Sequence, residues 1–290
     1  MKRILISASI LLLIGGVWWW KVVGPQKPDQ HCRFTALDVG QGDSLLLQTP
    51  DHQDVVIDGG PGSAALAGLS RHLPRGDRDI ELMVSTHPDA DHLAGLIPIL
   101  AQYHVGAVLT TGVEVDTTTW KQWSKALAAE QTQITYAHRG ERLVVGKYLT
   151  LEVLWPEQDL HGLHWTAVGK NGVGGTNDTG VVLRATCNGS TALFIADISG
   201  AVEDHLAEHP ELIQSSLLKV AHHGSRYSST SQFLQAVKPH LAIISVGAKN
   251  RYGHPHPTVL DRLQRLGIPV RRTDQGGDVS VQTDGHGGWR

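Results

Sequence analysis

Short apolar runs alternate along the chain with turns rich in glycine, aspartate and proline, and this pattern predicts a succession of strands and helices. In the first half, strands are predicted at 34–39, 45–49, 55–58, 80–86, 107–110, 133–136, 142–145 and 149–154, and helices at 63–73, 92–103 and 118–130. In the second half, strands are predicted at 180–187, 190–197, 217–221, 241–246 and 268–273, and helices at 230–237 and 257–266. This order predicts an α/β protein with two sheets flanked by helices.

The N-terminus carries an uncharged apolar segment, 4–20, directly after Lys2 and Arg3. Its length lies between that of a signal-peptide core and that of a membrane span. Three consecutive tryptophans, 18–20, are typical of a membrane interface, and the basic start favours a cytoplasmic N-terminus. We therefore expect a single-pass anchor at 1–24 and a linker at 25–32, with the rest outside the cytoplasmic membrane. The alternative is a cleaved signal and a secreted protein.

The composition is that of a folded globular protein, with 41% hydrophobic and 18% charged residues, and this excludes long disorder. Residues 1–215 carry 15 basic and 24 acidic residues, whereas residues 216–290 carry 10 basic and 4 acidic residues. The basic C-terminal part is able to attract an anionic substrate. Cys32 and Cys187 lack the spacing of a zinc motif, and the sequence leaves open whether they form a disulfide.

Ionisable residues follow four of the predicted strands: Asp58, His87, Asp197 and the pair His222–His223. Ligands gather at the carboxyl ends of strands in α/β sheets, so four such endings predict one shared site.

The stretch STHPDADH, 85–92, contains His87, Asp89, Asp91 and His92 within six residues. Neighbouring carboxylates resist ionising together unless a positive charge lies between them. Imidazole and carboxylate groups together suit zinc, manganese or iron. A helix-capping acidic loop is the alternative; it accounts for Asp91 but gives neither histidine a role.

This HxDxDH pattern resembles the HxHxDH signature of the metallo-β-lactamase superfamily, with Asp89 in place of the second histidine. The motifs DVGQGDS (38–44), VIDGG (56–60), LFIADI (193–198), KVAHHGS (219–225), YGHPHPTVLDRL (252–263) and RRTDQGGDVSV (271–281) are similar to the hydrolase domain of the ComEC family of DNA internalisation competence proteins. The resemblance covers about 33–283. It implies a four-layer αββα sandwich over 33–290, with a metal site between the edges of two sheets.

The resemblance also implies two divalent metal ions, zinc or manganese. His87 and Asp89 are similar to ligands of one metal, Asp91 and His92 to ligands of the other, and Asp197 to a carboxylate that bridges them. Either His222 or His223 supplies the last ligand, and Asp58 resembles a carboxylate that orients the ligand loop. A histidine usual before the strand GVVLR is absent, and Asn177 or Asp178 is the candidate substitute.

Further residues are candidates for catalysis and for contact with substrate. Asp91 and His254 are the predicted catalytic residues, with His254 expected to contact a phosphate oxygen or the leaving group. The candidate substrate-binding residues are Ser225, Arg226, Ser228 and Asn177.

These expectations define a binuclear metal-dependent phosphodiesterase, a nuclease that acts on DNA outside the cytoplasmic membrane. The expected partners are DNA or another phosphodiester, the membrane through the N-terminal segment, and components of a competence channel. One alternative is hydrolysis of a small phosphoester, lactone or β-lactam. Another is a non-catalytic module that guides DNA. With at most one membrane span, the chain is not expected to form a DNA channel alone.

Overall fold

The apolar runs of the two halves build two separate sheets in the computed structural model, which describes residues 30–130, 132–165 and 175–290. The segment 1–24, predicted to be a membrane anchor, lies outside these residues, as does most of the linker. Residues His31–Arg290 form one compact unit. None of the helices that the structure describes combines the length and the hydropathy that a membrane span requires.

The first sheet has seven strands, antiparallel at one side and parallel at the other. Its strands, in spatial order, are β16 (Val279–Gln282), β1 (Arg33–Ala36), β2 (Leu45–Gln48), β3 (Asp54–Ile57), β4 (Asp79–Ser85), β5 (His104–Thr110) and β7 (Gln133–Tyr136). The pairings from β16 to β3 are antiparallel, and those from β3 to β7 are parallel. Strand β16 was not predicted from the sequence.

The second sheet repeats this arrangement. Its strands, in spatial order, are β15 (Val270–Arg272), β14 (Leu241–Ile244), β13 (Leu217–Lys219), β12 (Ser190–Phe194), β11 (Val182–Cys187), β9 (Leu149–Trp155) and β8 (Arg142–Val145). The pairings from β15 to β12 are parallel, and those from β12 to β8 are antiparallel. Two short strands, β6 (Glu114–Val115) and β10 (His164–Trp165), pair outside both sheets.

Helices cover the outer face of each sheet. Those of the first half are α1 (Ala64–His72), α2 (Ala90–Leu93), α3 (Leu96–Leu100) and α4 (Thr118–Ala129). Those of the second half are α5 (Gly200–Leu206), α6 (Pro210–Ile213), α7 (Ser231–Val237), α8 (Pro257–Arg265) and α9 (Thr273–Gly276).

The alternation of side chains along each strand creates three apolar layers. In β2, Leu45 and Leu47 pack between the two sheets with Phe194 of β12, whereas Leu46 faces outward onto Leu69 of α1 and its neighbours. A third layer lies between the second sheet and α5, α7 and α8. Because side chains alternate between the faces of a strand, each sheet separates two cores. The predicted sandwich of two sheets with outer helices is therefore confirmed.

The prediction of one continuous helix over 92–103 is wrong. Two short helices, α2 over 90–93 and α3 over 96–100, lie there instead. The cause is a close contact between two backbones. The Gly95 N–H donates to the Gly60 carbonyl at 2.9 Å, and a Cβ on Gly95 would lie 1.8 Å from the Gly59 oxygen. The break between the helices therefore lies where the chain crosses the end of β3.

A disulfide joins Cys32 to Cys187 with a Cα–Cα distance of 6.2 Å, and both side chains are buried in the layer between the sheets. The sequence had left this pairing open. Cys32 immediately precedes β1 and Cys187 ends β11, so the bond ties the first sheet to the second.

Candidate metal centre

The parallel register of the strands brings the predicted ionisable residues to one edge of each sheet. Ile57 of β3 pairs with Val84 of β4, so Asp58 and His87 leave neighbouring strands at the same edge. In the second sheet, Phe194 of β12 pairs with Lys219 of β13, so Asp197 and the pair 222–223 also leave together. The two edges face each other across the candidate site, where side chains from both halves meet.

Four groups form a tight cluster at this place: Asp91, His92, Asp197 and His223. Each offers one nitrogen or oxygen atom, and these atoms all lie within 4.8 Å of one another. The Asp197 Oδ2 atom lies 3.3 Å from His92 Nε2 and 3.4 Å from His223 Nε2. Asp91 Oδ2 lies 3.5 Å from His223 Nε2. Two carboxylates and two imidazoles in this arrangement are a set of donors suited to a divalent transition metal.

Each buried imidazole is held through Nδ1, so that Nε2 faces the cluster. His92 Nδ1 donates to Asp58 Oδ2 at 2.8 Å, and His223 Nδ1 donates to the Ser245 carbonyl at 2.9 Å. The Nε2 atoms of both rings are buried and have no hydrogen-bond partner among the described residues. Metal-ligating histidines are held in the same way by the other ring nitrogen.

Asp58 connects two of the histidines. Its carboxylate accepts hydrogen bonds from the Thr86 N–H at 2.9 Å and the Thr86 hydroxyl at 2.7 Å, besides the bond from His92. Because the Thr86 hydroxyl proton is directed at Asp58, its oxygen accepts from His87 Nδ1 at 2.9 Å. The His87 Nε2 atom is then the unprotonated nitrogen, and it too is buried without a hydrogen-bond partner.

The groups predicted to bind the other metal are more loosely arranged. His87 Nε2 lies 4.0 Å from Asp89 Oδ2, and the Asp89 side chain is 38% exposed and accepts a hydrogen bond from the Thr176 hydroxyl at 2.7 Å. Of the two candidate substitutes for the absent histidine, Asn177 has its side-chain amide 3.3 Å from His222 Nδ1. The Asp178 carboxylate instead accepts from the Ser199 N–H at 2.8 Å, at the start of α5.

The adjacent histidines 222 and 223 point in different directions. Both have φ near +50°, in a short turn over 221–224, and their ring planes are 82° apart. His223 is buried within the four-group cluster. His222 is 32% exposed, and its Nε2 atom lies 3.8 Å from Asp197 Oδ2. The geometry thus favours His223 as the last ligand and places His222 at the mouth of the site.

An ion pair that the sequence did not assign to the site lies below the cluster. The fully buried Lys219 ammonium donates to Asp43, and it lies 3.9 Å from Asp197 Oδ1. Asp43 Oδ1 in turn lies 3.4 Å from His223 Nδ1. Both residues belong to motifs that carried the family resemblance, DVGQGDS and KVAHHGS. The one feature of the sequence that could have indicated this ion pair was a lysine inside an otherwise apolar strand.

The electrostatics of the cluster call for positive charge at its centre. Burial favours the neutral form of Asp197, but the charges of His223 and His92 outweigh it and hold the pKa of Asp197 well below its usual value. Burial opposes protonation of His223, yet the carboxylates of Asp197 and Asp43 raise its pKa to about 9. The buried carboxylates are therefore compensated either by protons on the imidazoles or by bound cations.

The remaining predicted residues line or support the mouth of the site. The His254 ring lies 5.6 Å from that of His222, and its Nδ1 atom has no hydrogen-bond partner among the described residues. Ser228 is buried and donates to the carbonyls of Ala221 and Ser225, so its hydroxyl proton is used within the loop. Arg226 is exposed on the same loop. Their predicted contacts with substrate stay predictions.

The fold and this donor set define a class of protein. A family model described as the metallo-β-lactamase superfamily matches residues 37–248. The chain therefore belongs to the metallo-β-lactamase superfamily, a family of metal-dependent hydrolases.

Within this superfamily, the chain is similar to competence proteins, as its motifs indicated. It is 30% identical over 263 residues to ComE operon protein 3 of Bacillus subtilis, covering 85% of this chain and 32% of that protein. It is 28% identical over 274 residues to competence protein ComA of Neisseria gonorrhoeae, covering 93% of this chain and 34% of that protein. The chain spans about a third of the length of these relatives.

Solved structures show the same fold at low sequence identity. Zn²⁺-bound PqqB from Methylobacterium extorquens superposes with a TM-score of 0.56 at 11% identity, over 85% of this chain and 99% of that one. CmlA, a diiron β-hydroxylase from Streptomyces venezuelae, also gives a TM-score of 0.56, at 15% identity, over 89% of this chain and 55% of that one.

Proposed function

We propose that this chain is a metal-dependent phosphodiesterase that hydrolyses DNA. The observation that carries the proposal is the cluster at Asp91, His92, Asp197 and His223. The Nε2 atoms of its two histidines are buried, face two carboxylates and have no hydrogen-bond partner in the part of the chain that the structure describes. Such unpartnered nitrogens are costly to bury unless a ligand occupies the place between them.

The proposed metals are two zinc or manganese ions. Asp91, His92 and His223 would hold one, His87 and Asp89 the other, and Asp197 would contact both. Bound there, divalent cations supply Lewis-acid stabilisation of a phosphoryl oxygen and lower the pKa of water. Because it has more groups and these lie closer together, the first of these sites is expected to bind its metal more tightly.

The protein's own groups orient the substrate and handle protons at the mouth of the site. Burial, His222 and His223 lower the pKa of His254 to about 4, so its imidazole is neutral at physiological pH. A neutral imidazole is able to donate one hydrogen bond, and we assign this to a phosphate oxygen or to the leaving group. Arg226 and Asn177 are the candidates for contact with the flanking phosphodiester.

DNA is the proposed substrate because of the relatives and the charge. The relatives include proteins named for competence, and the C-terminal part of the chain is basic. We further propose that the segment 1–24 holds the enzyme at the outer face of the cytoplasmic membrane, with a secreted form as the alternative. There it would act on DNA beside components of a competence channel.

A second candidate function is hydrolysis of a small ester. A cavity of about 260 Å³ lies beside His87, lined by aromatic residues that include Trp120, Trp123 and Tyr136. A concave cavity of this size, lined partly by aromatic side chains, suits a small molecule better than a polymer. A phosphoester, lactone or β-lactam would be the expected class.

The test uses the full chain, freed of metal and reloaded separately with Mn²⁺ and Zn²⁺. Cleavage of end-labelled DNA is followed beside a panel of small esters, and metal content is measured by elemental analysis. We expect metal-dependent cleavage of DNA that is lost in D91A and D197A. Hydrolysis confined to the small esters would support the second candidate. Metal-loaded wild type that binds DNA but hydrolyses neither DNA nor any of the esters would overturn both and favour a DNA-guiding module.

A further inference from the structure

Two exposed arginine–tyrosine pairs lie on the loops beside the metal centre. The Arg226 guanidinium lies 4.7 Å from the ring centroid of Tyr227, and the Arg251 guanidinium lies 5.8 Å from that of Tyr252. The two tyrosines are 56% and 60% exposed, which is unusual for large aromatic side chains. We name these four residues the arginine–tyrosine rim.

The two loops of the rim are joined to each other. The His256 N–H donates to the Gly224 carbonyl at 2.8 Å. Gly224 has φ +81°, and a Cβ placed on it would lie 2.6 Å from Pro255 Cβ, so the backbones are in close contact. The two loops that carry the rim are therefore held against each other.

A series of rings connects the rim to the metal centre. The Tyr252 ring stacks on that of His254 at 5.8 Å between centroids, with 28° between the planes. The His254 ring is 5.6 Å from that of His222, which is 6.1 Å from that of His223 in the cluster. A chain bound along the rim would therefore arrive at the groups proposed to hold the metals.

The composition of the chain segment that carries the rim favours an anionic partner. Residues 212–260 contain no aspartate or glutamate, and they include the rim arginines and Lys249, which is also exposed. Exposed aromatic rings combined with cations are the means by which proteins bind single-stranded nucleic acids: bases stack on the rings while arginines neutralise phosphates. Bases within a duplex are already stacked on one another and are not available to such rings.

We propose that the arginine–tyrosine rim binds an unpaired stretch of a DNA strand and directs its phosphodiesters to the metal centre. The inference rests on the proposed nuclease function, and it extends the phosphodiester contact proposed for Arg226 to three further residues. Tyr227 and Tyr252 stack on unpaired bases, and Arg226 and Arg251 contact the phosphates between them.

The test measures binding in the absence of metal, so that catalysis does not enter. The full chain in EDTA is titrated against a fluorescein-labelled oligothymidylate and against a blunt duplex of the same length, at several salt concentrations. We expect tighter binding of the single strand, weakened about tenfold for each ring removed by Y227A and Y252A. The variant Y252F should bind like wild type, because the ring and not the hydroxyl is used.

Two further variants separate the roles of the rim. R226Q and R251Q should each lower the slope of log affinity for the single strand against log salt by about 0.7, whereas the tyrosine variants should leave that slope unchanged. Y148A, which removes a tyrosine 38% exposed on the turn between β8 and β9, is the matched control and should bind like wild type. Circular dichroism and the thermal midpoint establish that each variant is folded.

The outcomes distinguish the two proposals. Two results would overturn the proposed role of the rim. One is an unchanged affinity of folded Y227A and Y252A for the single strand, and the other is an equal affinity of wild type for duplex and single strand. Loss of single-strand binding in these variants, together with a wild type that cleaves no DNA, would support the binding role of the rim and contradict the proposed nuclease activity.

Discussion

The two adjacent histidines of the motif KVAHHGS have different environments, and this difference has a consequence for metal binding. His223 is buried, donates through Nδ1 to the Ser245 carbonyl, and directs Nε2 at two carboxylates. His222 is partly exposed, and its Nδ1 atom lies beside the Asn177 amide. Sequence reasoning could not choose between them, because the choice depends on two successive left-handed residues in a turn.

We predict that H223A and H222A have unequal effects. H223A should remove one ligand of the tight cluster and lower metal affinity by a factor of ten or more, with catalytic activity lost. H222A should retain the tightly bound metal, because the four-group cluster is intact. Elemental analysis after dialysis against a weak chelator measures the difference. Equal loss of metal from both variants would contradict the assignment of His223.

Glu203 of α5 is a buried carboxyl outside the metal centre. It accepts hydrogen bonds from the Ser229 N–H at 2.7 Å and the Thr230 N–H at 2.8 Å, and so fixes the loop that leads from the rim to α7. Burial outweighs these two bonds and raises the pKa of Glu203 to about 8. The folded state therefore retains this proton at pH values where the unfolded chain has lost it.

This pKa shift predicts a fall in stability with rising pH. The stabilisation is complete below the unfolded pKa of about 4.5, and it is lost as pH rises through the folded value of about 8. The free energy of unfolding of wild type should therefore decrease, relative to that of E203Q, between pH 5 and pH 8. Urea unfolding of both proteins across this range measures it. All other ionisable groups are the same in both proteins, so their contribution to the pH dependence cancels. If the difference in free energy of unfolding between the two proteins stayed constant from pH 5 to pH 8, the raised pKa of Glu203 would be refuted.

The path of the chain across the first sheet depends on two glycines in contact, Gly59 and Gly95. The Gly59 N–H donates to the His92 carbonyl at 2.7 Å, and a Cβ on Gly59 would lie 2.2 Å from the Leu96 nitrogen. This contact sets the position of α2, which carries Asp91 and His92, against the end of β3, which Asp58 directly follows. The glycines thus bring the loop that carries Asp91 and His92 within reach of Asp58, which accepts a hydrogen bond from His92.

We predict that G95A is destabilising and also weakens metal binding. Its Cβ would lie 1.8 Å from the Gly59 oxygen, so the backbone must move. Overpacking of this kind costs roughly 1–3 kcal/mol or more, and here it displaces α2 and its ligands. G62A is the matched control from the same region, since a Cβ at Gly62 meets nothing within 4 Å. Chemical unfolding and metal titration of both variants measure the difference. Equal stability and equal metal affinity of G95A and G62A would contradict the role given to the contact between Gly95 and Gly59.

The elements that were predicted most accurately are those whose own residues carry the pattern that identifies them. The strands at 133–136 and 142–145 have the predicted bounds, because alternating or continuous apolar runs mark them. The break at Gly95 was missed because its cause, Gly59, lies 36 positions earlier in the chain. Strand β16 was missed because four residues with a short apolar pattern acquire their structure only by pairing with β1.

The same distinction holds for the candidate site. Residues 87–92 lie close together in the sequence, so their common location was readable from spacing alone. The Lys219–Asp43 pair joins residues 176 positions apart, and nothing local indicated that the two motifs touch. Because contacts of this kind depend on how the two sheets face each other, they become visible only in the folded molecule.

In the whole molecule, the two sheets share an arrangement of strands, pack face to face and are linked at both ends of their strands. At one end lies the metal centre, built from both halves. At the other lies the disulfide: Cys187 pairs across the hairpin with Ser190, at the far end of β12 from Asp197. Cys32 precedes β1, at the opposite end from the loop that carries Asp43.

This placement predicts that the disulfide affects stability and not the site. The bond links residues 155 positions apart, and closing a loop of this size in the unfolded chain is expected to stabilise the fold by roughly 2–5 kcal/mol. C32A/C187A should therefore lower the free energy of unfolding by about that amount, measured in urea. Metal content and affinity at 25 °C should match wild type, because the cluster depends on the carboxyl ends of the strands. A folded double variant that loses its metal would show instead that the disulfide fixes how the two sheet edges face each other.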